Sequence, residues 1–419
     1  MFAEILTIGD ELTRGEIVDS NSAWLAARLW DLDVTVRWMT SCRDDEADLR
    51  AALATATARV DLVIASGGLG PTEDDLTCDV VAAAAGVPIS IDETARARLE
   101  MFMASRGRVV SEVNLRQTRI PTGARVHPNP AGLAPGFEVA FGAVPVVCLP
   151  GFPREIHAIW EAGLGARVDE LRRGHGTAPH IARCVYRIFG RAESQLSEAL
   201  RGLADGVPGA TIHYQVKFPE VLVKLVVRDP DGAAAATRLA ALDAELRARV
   251  GPWIYGLGED ALPLVLGRAL LAAGHRVAVA ESCTGGMVGA LLTELPGSSG
   301  YFVGGAIVYA NDEKVRQLGV ALDSLAAHGA VSEAVAIEMA RGVRARTGAD
   351  LGVAVTGIAG PGGGTADKPV GTVWLAVDGP GDAAARTFRL QWPGARDQVR
   401  VLASWWALDL IRKAIGGGR

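Results

Sequence analysis

Residues Asp61-Leu62-Val63-Ile64-Ala65-Ser66, then Gly67-Gly68-Leu69-Gly70-Pro71-Thr72-Glu73-Asp74-Asp75, then Leu76-Thr77-Cys78-Asp79-Val80-Val81-Ala82-Ala83-Ala84-Ala85-Gly86 read as strand, glycine-rich turn and helix. A short aliphatic run bounded by glycine marks a buried strand, and the alanine-rich stretch behind it favours helix. Working outward, the same alternation recurs in EILTIG, SAWLAARLW, VTVRWM and DLRAALATATA. This βαβα order, from Glu4 to about Trp160, predicts an α/β domain with a doubly wound, parallel-type sheet covered by helices on both faces. Ligands of such sheets bind beyond the carboxyl ends of the strands, which is where IGDE and SGGLGPTEDD fall.

Past residue 170 the character changes. CVYRIFG, SQLSEALRGL, TIHYQV, VLVKLVV and an Ala-rich helix from Ala233 to Arg249 predict a small α+β module of two or three strands and two helices over 171–258. It carries no catalytic cluster and reads as a connector or dimerisation domain. Lys224 and Arg228 alternate with valines there, as on an ordinary half-exposed strand. From 259 to 419 a third, α/β unit is predicted. Its elements are helix LPLVLGRALLAAG, strand RVAVA, turn ESCTGG, helix MVGALLTEL, strand FVGGAIVYA, a helix capped by Ser332, strand DLGVAVT, strand TVWLAV and a closing helix.

The chain has 419 residues, enough for two or three domains at roughly 100–200 residues each. Apolar residues make up 49% and charged ones 21%, which excludes intrinsic disorder. A net charge of −6 without a dense Lys/Arg run argues against a direct nucleic-acid binder. Glu4 and Asp10 interrupt what a secretory leader would need, and no apolar run approaches the roughly 20 residues of a membrane span. A cytoplasmic protein without membrane partners is expected. Cys42, Cys78, Cys148, Cys184 and Cys283 are scattered, with no CxxC pair, so neither a disulfide framework nor a zinc site is indicated.

Two constellations carry chemistry. In the first, glycines 67, 68 and 70 at a strand end let backbone N–H groups approach a phosphate. Asp74 and Asp75 beside it would repel a phosphate unless a Mg²⁺-type ion lay between, although first-turn acids complementing a helix dipole explain them equally well. Asp10 and Glu11 at a neighbouring strand end favour the functional reading. In the second, Ser282 sits in Ala280-Glu281-Ser282-Cys283-Thr284-Gly285-Gly286, a strand-to-helix turn whose N–H groups suit an oxyanion. No Ser-His-Asp set is available. Tyr309 and Lys314 in Tyr309-Ala310-Asn311-Asp312-Glu313-Lys314 offer a base instead, since a desolvated lysine can take a serine proton. A plain helix N-cap at Ser282, and Cys283 as the nucleophile, are the competing readings. The loop Thr356-Gly357-Ile358-Ala359-Gly360-Pro361-Gly362-Gly363-Gly364-Thr365 offers backbone amides to a phosphate, or is a surface hairpin.

IGDELTRGEIVDSNSAWLA, SGGLGPTEDDLT, NLRQTRIPTGARVHPNPAGLAPGF and LPGFPREI together resemble the molybdopterin-binding, MoaB/MogA-like fold at the front of the CinA family. That resemblance implies a metal-dependent ADP-ribose pyrophosphatase. It places Asp10, Gly67, Gly68, Gly70, Thr72 and Asp75 around the diphosphate, Asn21 and Asn114 nearby, and Asp75 and Asp74 on a divalent Mg²⁺-type ion, with a monovalent cation as an optional companion. AESCTGG, VYANDEK, VTGIAGPGGGT and KPVGTVW resemble the CinA C-terminal domain, a nicotinamide-nucleotide amidase. The implied reaction turns nicotinamide mononucleotide into nicotinate mononucleotide and ammonia, with no cofactor. Ser282 is then the nucleophile, Lys314 and Tyr309 the base and relay, and Thr284, Gly285, Gly286, Thr356, Gly357 and Gly360 the substrate contacts. A homodimer is expected, serving salvage of pyridine nucleotides. The alternatives are a nucleotide-sensing protein linked to competence or DNA damage, and a molybdopterin-processing enzyme.

Overall fold

The computed structural model describes residues 1–176, 179–379 and 385–416, so the last three positions of the expected third domain lie outside the described residues. Two compact units divide the chain, Met1–Ile181 and Ala182–Arg419.

The first unit contains β1 (Phe2–Ile8), β2 (Thr35–Cys42), β3 (Leu62–Ser66), β4 (Ile89–Ile91), β5 (Arg119–Pro121), β6 (Arg125–His127), β7 (Gly136–Phe141) and β8 (Val144–Leu149). Its main sheet runs β2-β1-β3-β8-β7-β6. The pairs β1/β2, β1/β3 and β3/β8 are parallel, and β7 and β6 add an antiparallel edge. The doubly wound expectation therefore holds for the four strands that build the site. Side chains alternate between two cores, with Leu6, Val63 and Val146 on one face and Ile5, Ile64 and Val147 on the other. Every residue of β3 is buried, as helices on both faces of a parallel strand require. Thr7 of β1 is in register with Ser66 of β3, which lies beside Leu149 of β8. Three strands thus end together, and the loops that follow them share one edge.

The second unit starts with β9 (His180–Phe189), β10 (Ala210–Lys217), β11 (Glu220–Asp229) and β12 (Ile254–Leu257), a four-stranded sheet in the order β10-β11-β9-β12. Two helices, Glu193–Ala199 and Gly232–Val250, accompany it. A second sheet follows, of β13 (Val277–Glu281), β14 (Phe302–Ile307), β15 (Leu351–Gly357), β16 (Thr372–Asp378) and β17 (Arg386–Gln391), ordered β14-β13-β15-β16-β17. Strands β13, β14 and β15 are parallel, and β16 and β17 continue antiparallel. The period of two is visible again. Val277 and Val279 face the core that includes the helix Arg396–Ile415, while Ala278 and Ala280 face the helix Glu333–Thr347, where only a small side chain leaves room. The two sheets share an aromatic seam: Phe189 lies 5.6 Å from Trp405 and 4.9 Å from Trp406, and Tyr255 lies 6.1 Å from Trp405. Among the described residues no helix is long and apolar enough to cross a membrane.

Candidate functional sites

In the first unit the loops after β1, β3 and β8 enclose a cavity of about 700 Å³, lined among others by Glu11, Asp44, Gly67, Gly68, Gly70, Thr72, Asp74, Asp75, Phe152 and Glu155. The loop after β3 is tight. Gly67 has φ +115° and a Cβ there would lie 2.2 Å from the Ile8 carbonyl, while one on Gly68 would lie 2.3 Å from the Thr77 hydroxyl. Only glycine fits either position.

Asp75 is placed as a brace for this loop. Its carboxylate accepts the N–H groups of Gly70 at 2.7 Å and Thr72 at 2.8 Å, together with the Thr72 hydroxyl. Both oxygens of this expected metal ligand thus already have donors inside the loop. The Asn21 amide donates to Ser66 Oγ at 3.2 Å and to the Gly151 carbonyl at 2.7 Å, tying two cavity loops together. Asn114 belongs to the capping box of the short helix Glu112–Leu115, its amide oxygen accepting from Ser111 Oγ at 2.8 Å. Asp10 pairs with Arg14 and with Arg43. Asn21, Asn114 and Asp10 are thus engaged with protein groups.

The carboxylates that sequence reasoning passed over are Asp44 and Glu155. Asp44 accepts the Asp10 N–H at 2.8 Å. Burial pushes its carboxyl up, and the negative charges of Glu11, Asp10 and Asp74 push it further. An accumulation of negative charge is what a divalent cation relieves. Among the described residues no group of three or more His, Cys, Asp or Glu is placed to hold a metal ion. These residues therefore fit an ion held by one or two carboxylates and completed by phosphate oxygens and water, the usual manner of Mg²⁺.

In the second unit the parallel strands again end together, since Glu281 of β13 is in register with Ile307 of β14 and Val355 of β15. Ser282 follows at once and is buried. Lys314, on the helix Asn311–Leu318, is 1% exposed and places its Nζ 3.2 Å from Ser282 Oγ. Two carbonyls fix that amine, Val308 at 2.9 Å and Tyr309 at 3.2 Å. Burial holds the lysine below its ordinary range. In the neutral amine, two N–H bonds point at the carbonyls and the lone pair is left for the serine proton. Cys283 is also buried, and burial pushes its thiol up to about 12, which leaves no useful thiolate at neutral pH.

Other residues take unexpected places. Tyr309 is exposed and its hydroxyl accepts from Arg396 at 3.1 Å, so its link to Lys314 is through its carbonyl and no hydroxyl relay is formed. Thr356 is buried and donates to the Ala330 carbonyl at 2.8 Å. Gly357 is a packing glycine, since a Cβ there would lie 2.6 Å from the Val373 side chain. Gly285 and Gly286 turn the chain with positive φ before the helix Met287–Thr293. Arg396 donates to the Gly360 carbonyl at 2.7 Å, and Arg400, one turn later on the same helix, donates to the Thr284 carbonyl at 2.9 Å. Neither guanidinium has a carboxylate partner among the described residues. Sequence reasoning missed both arginines; no motif contains them.

Residues 259–415 match the CinA C-terminal domain, 183–256 the damage-inducible protein CinA KH domain and 4–169 a probable molybdopterin binding domain. A CinA-like protein of Anaeromyxobacter dehalogenans is 45% identical over 99% of this chain and 100% of its own length. The chain belongs to the CinA family. A CinA-like protein of Myxococcus xanthus is 39% identical over 99% of this chain and 98% of its own. Among solved structures, the competence/damage inducible protein CihA of Agrobacterium tumefaciens is 38% identical, covering 37% of this chain and 96% of that one with a TM-score of 0.35. CinA of Thermoplasma acidophilum is 33% identical, covering 40% and 97% with a TM-score of 0.37. Within the CinA family this chain therefore carries all three regions, and Ser282 and Lys314 both lie in its C-terminal domain.

Proposed function

We propose that the C-terminal domain hydrolyses the carboxamide of nicotinamide mononucleotide, releasing nicotinate mononucleotide and ammonia. The observation that carries this reading is the buried contact between Lys314 Nζ and Ser282 Oγ. Ser282 Oγ bonds to the carboxamide carbon, the C=O pair moves onto oxygen, and the serine proton passes to Lys314. Collapse breaks the C–N bond, and Lys314 returns the proton to the departing nitrogen. Water then attacks the acyl-serine carbon and gives one proton to Lys314. Collapse breaks the C–Oγ bond, Lys314 returns that proton to Ser282 Oγ, and the acid loses its remaining proton to the ammonia or to solvent, leaving a carboxylate. Arg396 and Arg400, with only carbonyl and hydroxyl acceptors, offer positive charge to the nucleotide phosphate. Ammonia release from nicotinamide mononucleotide, measured for the wild type beside Ser282→Ala and Lys314→Ala, tests the assignment. Turnover by either folded variant at the wild-type rate would overturn it.

For the N-terminal domain we propose hydrolysis of the ADP-ribose diphosphate, supported by the glycine loop and acidic wall of its cavity. The Gly68 and Leu69 N–H groups, which make no backbone hydrogen bond among the described residues, would hold phosphate oxygens, and Asp44 with Glu11 or Asp74 would hold a divalent cation that offsets their charge. Both substrates derive from pyridine dinucleotides, which gives one salvage role to the joined domains. Tight binding of molybdopterin with no attack on ADP-ribose would favour a cofactor-processing role for this domain instead.

A further inference from the structure

An amidase serine needs donors for the oxyanion of its tetrahedral intermediate, and the N–H groups around Ser282 can be accounted for one by one. Ser282 N–H donates to the Val355 carbonyl at 3.0 Å, and Gly285 N–H to the Ser282 carbonyl at 3.1 Å. Glu281 is 1% exposed and its carboxylate takes the next set, Gly286 N–H at 2.9 Å, Val288 N–H at 3.1 Å and Gly289 N–H at 2.8 Å. Met287 N–H turns back to the Thr284 carbonyl at 3.4 Å. The helix Met287–Thr293 therefore has no free donors at its start, because the strand residue before the nucleophile occupies them. The Cys283 and Thr284 N–H groups are left, and they make no backbone hydrogen bond among the described residues.

The Thr284 side chain singles out this position a second time. The residue is 0% exposed, yet its hydroxyl has no hydrogen-bond partner among the described residues. Buried hydroxyls are nearly always paired, and an orphan in a native fold calls for a ligand or a water. Its carbonyl is meanwhile fixed by Arg400 at 2.9 Å, so the peptide that presents the N–H and the hydroxyl is held from behind.

We infer that Thr284 is a catalytic residue, its hydroxyl donating with the Cys283 and Thr284 N–H groups to the oxyanion formed when Ser282 attacks the carboxamide. Glu281 and Arg400 are then positioning residues for this turn. The inference rests on the serine-amidase reading above.

The test compares Thr284→Val, which keeps the shape and removes the hydroxyl, with Thr284→Ser, which keeps the hydroxyl. For Thr284→Val, kcat for ammonia release from nicotinamide mononucleotide should fall about 100-fold or more with KM within about twofold, the usual effect of one lost oxyanion donor. Thr284→Ser should keep kcat within about fivefold. The thermal midpoint of Thr284→Val should be unchanged or higher, since an unpaired buried hydroxyl is replaced by a methyl. A role confined to structure gives the reverse, a lowered midpoint with kcat retained, and either of those results overturns the inference. Covalent labelling of Ser282 by a fluorophosphonate, whose phosphoryl oxygen gains charge in the same hole, gives a readout independent of the natural substrate. If the wild type labels but releases no ammonia, the substrate assignment has failed while slower labelling of Thr284→Val still supports the hole. Equal labelling of wild type and Thr284→Val overturns it.

Discussion

Asp75 accepts the Gly70 N–H at 2.7 Å and so closes the loop that precedes it, holding it in the shape a phosphate would meet. An amide at this position would turn an NH₂ group toward one of the N–H donors, so Asp75→Asn should open the loop, at a cost of about 1–3 kcal/mol in stability. ADP-ribose cleavage should be lost and ammonia release from nicotinamide mononucleotide should stay within about twofold, because the two sites lie in different units. A brace also predicts that excess Mg²⁺ does not restore cleavage; restoration would return Asp75 to the role of ligand.

The proposed deamidation should depend on pH through Lys314. Burial lowers its folded-state pKa below the ordinary lysine value, and in the proposed mechanism the neutral amine is the base. The rate kcat/KM should therefore rise with pH through that lowered pKa and level off above it. Stability should move in the same direction. Between the lowered pKa and the unfolded value of about 10.4, the unfolded chain binds more protons at this site, so unfolding free energy increases with pH across that window. Lys314→Met should abolish the rate dependence and cut kcat by about 10²- to 10⁴-fold.

Cys283 should prove dispensable. With its thiol pushed up to about 12, about one molecule in 10⁵ carries a thiolate at pH 7. Cys283→Ser should retain most deamidation, and iodoacetamide at neutral pH should leave activity intact. Loss of activity in a folded Cys283→Ser protein would move the nucleophile away from Ser282.

Chelation separates the two reactions. EDTA should stop the proposed diphosphate cleavage, whose cation the carboxylate wall would hold, and leave ammonia release unchanged, since the proposed serine route uses only protein groups. An EDTA-sensitive amidase would contradict the lysine-activated serine.

Arg396 provides a probe of phosphate recognition. Arg396→Gln should raise KM for nicotinamide mononucleotide by about tenfold or more, a charge-assisted hydrogen bond being worth about 1.5–3 kcal/mol. Any turnover of the unphosphorylated riboside should be affected much less. An equal loss on both substrates would place Arg396 at the carboxamide end.

The strand-to-helix architecture was legible because strand ends, glycines and carboxylates fall together in short stretches such as SGGLGPTEDD. The Ser282–Lys314 pairing was legible for the same reason, as both residues follow parallel strands whose ends must be adjacent. The role of Asp75 was not, since a brace and a metal ligand present the same spacing. Arg396 and Arg400 were hidden by distance along the chain: they stand at the start of the last helix, more than a hundred residues from Ser282, and the packing of that helix on β15, β16 and the helix Met287–Thr293 brings them in. Strand β17 escaped notice although Phe388 and Leu390 alternate with Arg389 and Gln391, because only two apolar residues fall within its six positions. Strand β12 is short and has only Tyr255 buried.

The aromatic seam sets a rule for cutting the gene. Phe189 and Tyr255 come from one sheet, Trp405 and Trp406 from the helix that carries Arg396 and Arg400. A fragment begun at 259 would strip Phe189 and Tyr255 from those indoles, leaving Trp406 its stack on Phe388, and would invite self-association. A fragment begun at Ala182 keeps Phe189 and Tyr255 against them, so that is where the second unit is best expressed by itself.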